Sequence, residues 1–212
     1  MKKVILSMVT SVALLCAGGF EDAVAYYKQG EFAPAMQAFE VLAKEGDVKA
    51  QYNLAMMYSK GEGDAPSTTQ AMKWYEKAAN QNHALSQYNL GKLYHEAGAK
   101  DPNAYKKAKF WYEKAIANDL PEAYNNLAVL YMEGKGVAED QPKAFELFKT
   151  SAQMGNADAQ VNVGRMYAWS QQIIQDKMKA YENLKKALDA GKSEASHHLD
   201  RLCKESAWVC KD

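Results

Sequence analysis

Apolar and polar positions along this chain recur with a long period. Leucine or valine stands at Leu54, Leu90, Leu127, Val163 and Leu199, in steps of 36, 37, 36 and 36 residues. The next position holds Ala55, Gly91, Ala128, Gly164 and Asp200, and the fourth holds Tyr58, Tyr94, Tyr131, Tyr167 and Cys203. Apolar residues at i and i+4 with a small residue at i+1 predict one helix face packed closely on a neighbour. A second helix is predicted after each first one, aligned on Ala71, Ala108, Ala144 and Ala180. Large residues at i+3 and i+4 of this second helix, as in WYEKAA (74–79) and WYEKAI (111–116), keep helical spacing. Glycine or asparagine follows, as at Gly155-Asn156 and Gly191-Lys192, and suits a left-handed helix end. KGEGDAPSTT (60–69) and EGKGVAEDQP (133–142) lie between the helices of a pair and read as turns. Gly-x-Gly here follows no strand and precedes no Gly-Lys-Ser/Thr, so a phosphate loop is not expected.

Repetition at such a period predicts stacked helix pairs, since one pair cannot bury both of its faces alone. The expected fold class is all-α, an α/α solenoid. The expected divisions are residues 1–19 as a signal peptide and 20–212 as a single solenoid domain. Within it the repeats run about 20–47, 48–83, 84–120, 121–156 and 157–192, and 193–212 form a cap. The tyrosine column and the Trp74 and Trp111 column keep register with leucine and are expected in the core.

The first nineteen residues break the pattern. Lys2 and Lys3 precede an apolar run from Val4 to Ala17, and small residues follow. This order predicts a secretory signal peptide cut near Gly19. The run is shorter than the roughly 20 residues a membrane span needs, so no stable membrane insertion is expected after cleavage. Cys16 keeps a lipoprotein alternative open, although Leu15 stands where a small residue is expected. The expected location is exported, periplasmic or secreted.

An oxidising compartment turns Cys203 and Cys210 into an expected disulfide. Residues seven apart on one straight helix lie about 10.5 Å apart along its axis, and a disulfide needs Cα atoms within about 7 Å. The helix must therefore stop within KESAWV (204–209) and turn back. His197 and His198 make zinc the alternative, but neighbouring histidines on a helix point about 100° apart.

Composition narrows the function. Net charge is +0 over 212 residues, and no basic field points to nucleic acid. No Ser-x-x-Lys tetrad occurs, and Lys149-Thr150-Ser151 falls inside a predicted helix. His95 lacks the second histidine of a His-Glu-x-x-His zinc helix. No enzyme, cofactor or metal is expected.

NLAVLYMEGKGVAEDQPKA (126–144) and KWYEKAA (73–79) resemble the Sel-one-like subfamily of tetratricopeptide repeats. The resemblance covers the chain beyond residue 19. It departs from the subfamily at AGAKDPNAYKK (97–107) and AWSQQIIQD (168–176), which lack Gly-x-Gly. It implies a right-handed superhelix whose first helices line a concave side, and a scaffold that binds protein. Positions two before and two after the core leucine would face that groove: Tyr52 and Met56, Tyr88 and Lys92, Asn125 and Val129, Val161 and Arg165, His197 and Arg201. The series runs from aromatic to basic and suits a peptide with an apolar and an acidic portion. Cysteine-rich secreted members described as acting on β-lactams supply the other reading, a periplasmic hydrolase of β-lactam or peptidoglycan fragments.

Overall fold

The computed structural model describes residues 19–210. The expected signal peptide, its cleavage point and Cys16 lie outside the described residues, except that Gly19 opens them. Eleven α-helices and one short 3-10 turn make up the described chain, without strands. They are α1 Phe20–Lys28, α2 Phe32–Lys44, α3 Val48–Lys60, α4 Thr68–Asn80, α5 Ala84–Ala97 and α6 Asn103–Ile116. Then follow α7 Pro121–Glu133, α8 Gln141–Gln153, α9 Ala157–Trp169, α10 Lys177–Asp189 and α11 Glu194–Glu205, with the 3-10 turn at Ala207–Cys210. The chain falls into two compact units that divide between Leu93 and Tyr94, inside α5.

Local signals set the helix starts. Asp47, Ser67, Asp140, Asn156 and Asp176 each accept a hydrogen bond from the backbone N–H three residues on. Each thereby satisfies one of the donors that a helix start leaves free. Consecutive helices then pack in order: α1 on α2, α2 on α3 and α3 on α4 in the first unit, and α6 through α11 in sequence in the second.

The small residues let helices approach. Ala55, Ala128 and the second-helix alanines Ala71, Ala108, Ala144 and Ala180 have no exposed surface. A Cβ on Gly164 would lie 2.7 Å from Leu184 Cγ, so glycine there is a packing requirement between α9 and α10. Two turns also need glycine. Gly63 (φ +92°) and Gly136 (φ +71°) hold left-handed backbone, and an added Cβ would meet Phe32 O or Tyr105 Cβ at 2.7 Å. Each turn therefore lies directly against the start of the second helix of the preceding pair, on α2 and on α6.

Leu54, Leu90, Leu127 and Val163 are buried, as are Trp74 and Trp111. The tyrosine column differs from expectation. Tyr131 is buried, but Tyr58, Tyr94 and Tyr167 are half-buried. In the second unit these rings sit under lysines from the following helix. Lys107 Nζ lies 5.2 Å from the Tyr94 ring centre, Lys143 4.2 Å from Tyr131 and Lys179 5.6 Å from Tyr167. The tyrosines close the edge of the core, and each ring face takes a cation.

Candidate functional site

The first unit positions four of the residues singled out in the sequence. Tyr52 and Met56 on α3 and Tyr88 on α5 are half-buried, and Lys92 is exposed. Tyr52 is engaged in packing. Its ring centre lies 5.9 Å from Tyr75 and 4.9 Å from His83. His83 caps the start of α5: its Nδ1 accepts from the Ser86 N–H at 3.3 Å and lies 2.9 Å from Ser86 Oγ. Accepting at Nδ1 requires the neutral ring, and burial pushes the imidazole below its ordinary pKa. Lys92 Nζ stands 5.8 Å from the Tyr88 ring centre.

The second unit places the other six. Asn125 and Val129 on α7 are half-buried, while Arg165 on α9 and His197 and Arg201 on α11 are exposed. Val161 is a correction. It is 1% exposed and belongs to a cluster with Leu184, Ala195, Leu202 and Val209, so it lines no surface. An apolar side chain at that register is drawn into the core where α10 and α11 meet. Asn125 is also partly committed, since its amide donates to Asn126 Oδ1 and its oxygen accepts from Asn162 Nδ2, both at 3.2 Å.

Arg165 and Arg201 come together in a cleft of about 270 Å³, whose walls include Met132, Asn162, Met166, Trp169 and His198. Trp169 organises it. Its Nε1 donates to Glu205 Oε2 at 2.7 Å, and the Arg201 guanidinium stacks 4.4 Å from its ring centre. Arg201 Nε donates to Glu205 Oε1 at 2.8 Å, so one carboxylate holds both groups. These two hydrogen bonds hold the Glu205 carboxyl below its ordinary pKa. Burial, with Arg165, His197 and Arg201 nearby, holds the His198 imidazole low. Arg165 forms no ion pair among the described residues. Six residues after each core leucine or valine come Lys60, Glu96, Glu133, Trp169 and Glu205, so an aromatic in a charged column is the sequence signal for Trp169.

Cys203 and Cys210 form the disulfide, with Cα atoms 5.7 Å apart. The helix stops at Glu205 and the 3-10 turn brings Cys210 back. Cys203 is half-buried, and Leu202 beside it is the residue that reaches the core. Among the described residues no cluster of three or more His, Cys, Asp or Glu could hold a metal. Thr150 and Ser151, in α8, donate their hydroxyls to Glu146 O at 3.0 Å and Pro121 O at 2.7 Å.

The Sel1 repeat pattern matches residues 48–83, 84–120, 121–156 and 157–192. A search of curated proteins gives no match. Among solved structures the chain is similar to c5321, a protective antigen of uropathogenic Escherichia coli with an SLR fold, at 28% identity and a TM-score of 0.78. That alignment covers 86% of this chain but 42% of c5321, so the chain spans less than half of that protein's length. A Sel1 repeat protein from Oxalobacter formigenes aligns at 25% identity and a TM-score of 0.75, over 87% of this chain and 75% of that one. Immunity protein Pa5087 from Pseudomonas aeruginosa, at 21% identity and a TM-score of 0.53 over 82% of this chain and 68% of that one, shares the fold.

Proposed function

This chain belongs to the Sel1 repeat family, and from that premise we propose that it is an exported, non-catalytic scaffold that binds a segment of another protein. The binding face is the side of the first helices that carries Tyr52, Met56, Tyr88, Lys92, Asn125, Val129, Arg165, His197 and Arg201. One observation carries the reading. The repeats keep near-identical buried columns, yet the positions two before and two after the core leucine hold unlike side chains that, Val161 apart, keep exposed surface. A repeated scaffold with a varied face is how repeat proteins distinguish partners. The apolar and aromatic character of the first unit's positions suits an apolar stretch of a partner, and the cations of the second unit's positions suit an acidic one.

Export is supported by the Lys-Lys, apolar and small-residue order of residues 1–19 and by the cysteine bridge, a bond of oxidising compartments. The single solenoid domain from 20 to 212 follows from the same repeat register. The hydrolase reading finds no exposed nucleophile among the hydroxyls placed here: Ser86, whose Oγ lies 2.9 Å from His83 Nδ1, is fully buried, and the hydroxyls of Thr150 and Ser151 are spent on backbone carbonyls.

A photo-crosslinking residue placed in turn at Met56 and Val129, and at Glu182 on the second-helix side, tests the face in cells of the native host. The expected outcome is one shared adduct from Met56 and Val129 and none from Glu182. Adducts from Glu182 alone would move the binding face to the second helices.

A further inference from the structure

We infer that the cleft between α7, α9 and α11 is a carboxylate site, which takes a glutamate or aspartate side chain flanked by apolar residues from within a partner's extended segment. The inference rests on the peptide-binding face proposed above and gives that face its chemistry at the C-terminal end.

Four features of the cleft carry it. The first is preorganisation of a cation. Arg201 Cζ lies over the Trp169 ring, 4.4 Å from its centre, and its Nε hydrogen is taken by Glu205 at 2.8 Å. A guanidinium has five N–H donors, so fixing Nε leaves the Nη pair of the fork oriented for a second planar acceptor. Binding then loses little side-chain freedom at Arg201.

The second is an uncompensated charge. Arg165 lines the same cleft and has no ion pair among the described residues. Glu205 is bonded to Arg201, and Glu194 acts on His198 from its own helix. Neither carboxylate pairs with Arg165, so one of the two guanidiniums lining the cleft keeps its charge for an anion from outside.

The third is that the protein already shows which group these donors accept. Glu205 bridges Trp169 Nε1 and Arg201 Nε with its two oxygens, at 2.7 and 2.8 Å. It is a side-chain carboxylate in a site made of an indole and a guanidinium. A ligand carboxylate between Arg165 and the free fork of Arg201 would repeat that geometry on the other side.

The fourth is the mixed lining. Met132, Met166 and the Trp169 ring supply apolar surface beside the cations. The cleft measures about 270 Å³, near the lower end for ligand pockets. It holds one acidic side chain and part of an apolar neighbour rather than a long segment. Asn125 on α7 accepts from Asn162, a residue of the cleft wall, at 3.2 Å, so polar surface continues past the cleft onto α7 for a segment that passes through.

The test uses blocked peptides, with N-terminal acetyl and C-terminal amide groups, so that the only carboxylate is the one under study. Acetyl-Gly-Leu-Glu-Leu-Gly-amide is titrated into 15N-labelled protein spanning residues 20–212, and the Trp169 indole N–H is followed after assignment through a Trp169→Phe variant. A Gln peptide replaces the acid, and acetyl-Gly-Leu-Gly-Leu with a free C-terminus offers only a terminal carboxylate. The expected result is a saturable shift of the Trp169 indole with the Glu peptide, and affinity about tenfold weaker with the Gln peptide. Arg165→Gln should lower affinity for the Glu peptide at least fivefold and leave that for the Gln peptide unchanged, with an intact amide spectrum. The inference is overturned if Glu and Gln peptides titrate alike, if Arg165→Gln binds as the wild type does, or if no resonance moves. A free terminal carboxylate that binds more tightly than the internal Glu overturns the assignment to an internal side chain. Shifts confined to α7, or to α3 and α5, sink the carboxylate site alone. Shifts confined to the second helices sink the binding face with it.

Discussion

Tyr52 and Arg165 occupy the same face of the repeat, two residues before and two residues after a core position, and the structure uses them in opposite ways. Tyr52 is built into its unit by ring contacts with Tyr75 and His83. Arg165 is exposed and unpaired among the described residues. A position in the repeat register therefore says which way a side chain leaves the helix, and its chemistry decides whether the fold or a partner claims it. An aromatic ring at this face recovers apolar contact from its neighbours, whereas a guanidinium keeps its charge toward water until an anion arrives.

The largest effect expected from this contrast is on stability. Tyr52→Ala should destabilise the first unit by about 2–3 kcal/mol through loss of its ring contacts, while Tyr52→Phe stays close to wild type. Arg165→Gln should stay within about 0.5 kcal/mol. Urea unfolding followed by circular dichroism measures all three. A Tyr52→Ala protein as stable as Arg165→Gln would erase the contrast and make both residues free surface.

The bridge at the far end gives the next effect. Replacing both Cys203 and Cys210 with serine releases a loop with a sequence separation of 7. Chain entropy for so short a ring is worth about 2.5 kcal/mol. The loss should appear as a lower unfolding midpoint, concentrated by hydrogen exchange in α11 and in the Val209 packing against α10. Even loss of protection across both units would mean that the cap supports more than its own end.

The smallest effect is on pH dependence. His83 is held neutral in the folded protein, so its folded pKa lies below the unfolded value of about 6.5. The unfolded chain then binds more protons, and stability rises with pH in that range. The contribution is complete above about pH 6.5 and is lost as the pH falls below it toward the folded pKa. His83→Gln should flatten this decline between pH 7 and 5 in thermal melts. An unchanged slope would leave the fall to His95 and His198, whose pKa values burial also lowers.

Much of this architecture is readable in the sequence because the period repeats. Leu54, Leu90, Leu127 and Val163, with Ala or Gly behind them, announce a helix seam, and the structure buries all four. The turn back after Glu205 is legible too, since seven residues of straight helix cannot bring Cys203 to Cys210. Val161 is less legible. Its register resembles that of Tyr88 and Asn125, and only the packing of α10 and α11 around it shows that it is covered. The Trp169–Glu205 bond joins residues 36 apart, one full repeat, and no local spacing announces it. The lysines over Tyr94, Tyr131 and Tyr167 do follow the period, yet a lysine at a helix start reads as solvated until the ring beneath it is seen.

The position of the two cysteines after the helices they close has a consequence for biogenesis. From residue 19 onward the chain carries cysteine at 203 and 210 alone. A chain that begins there can make one intramolecular pairing and no scrambled one, whatever order its helices form in. Such a chain calls for an oxidant and for no disulfide isomerase. The pair also emerges from the ribosome after the helices that its ring is to close upon.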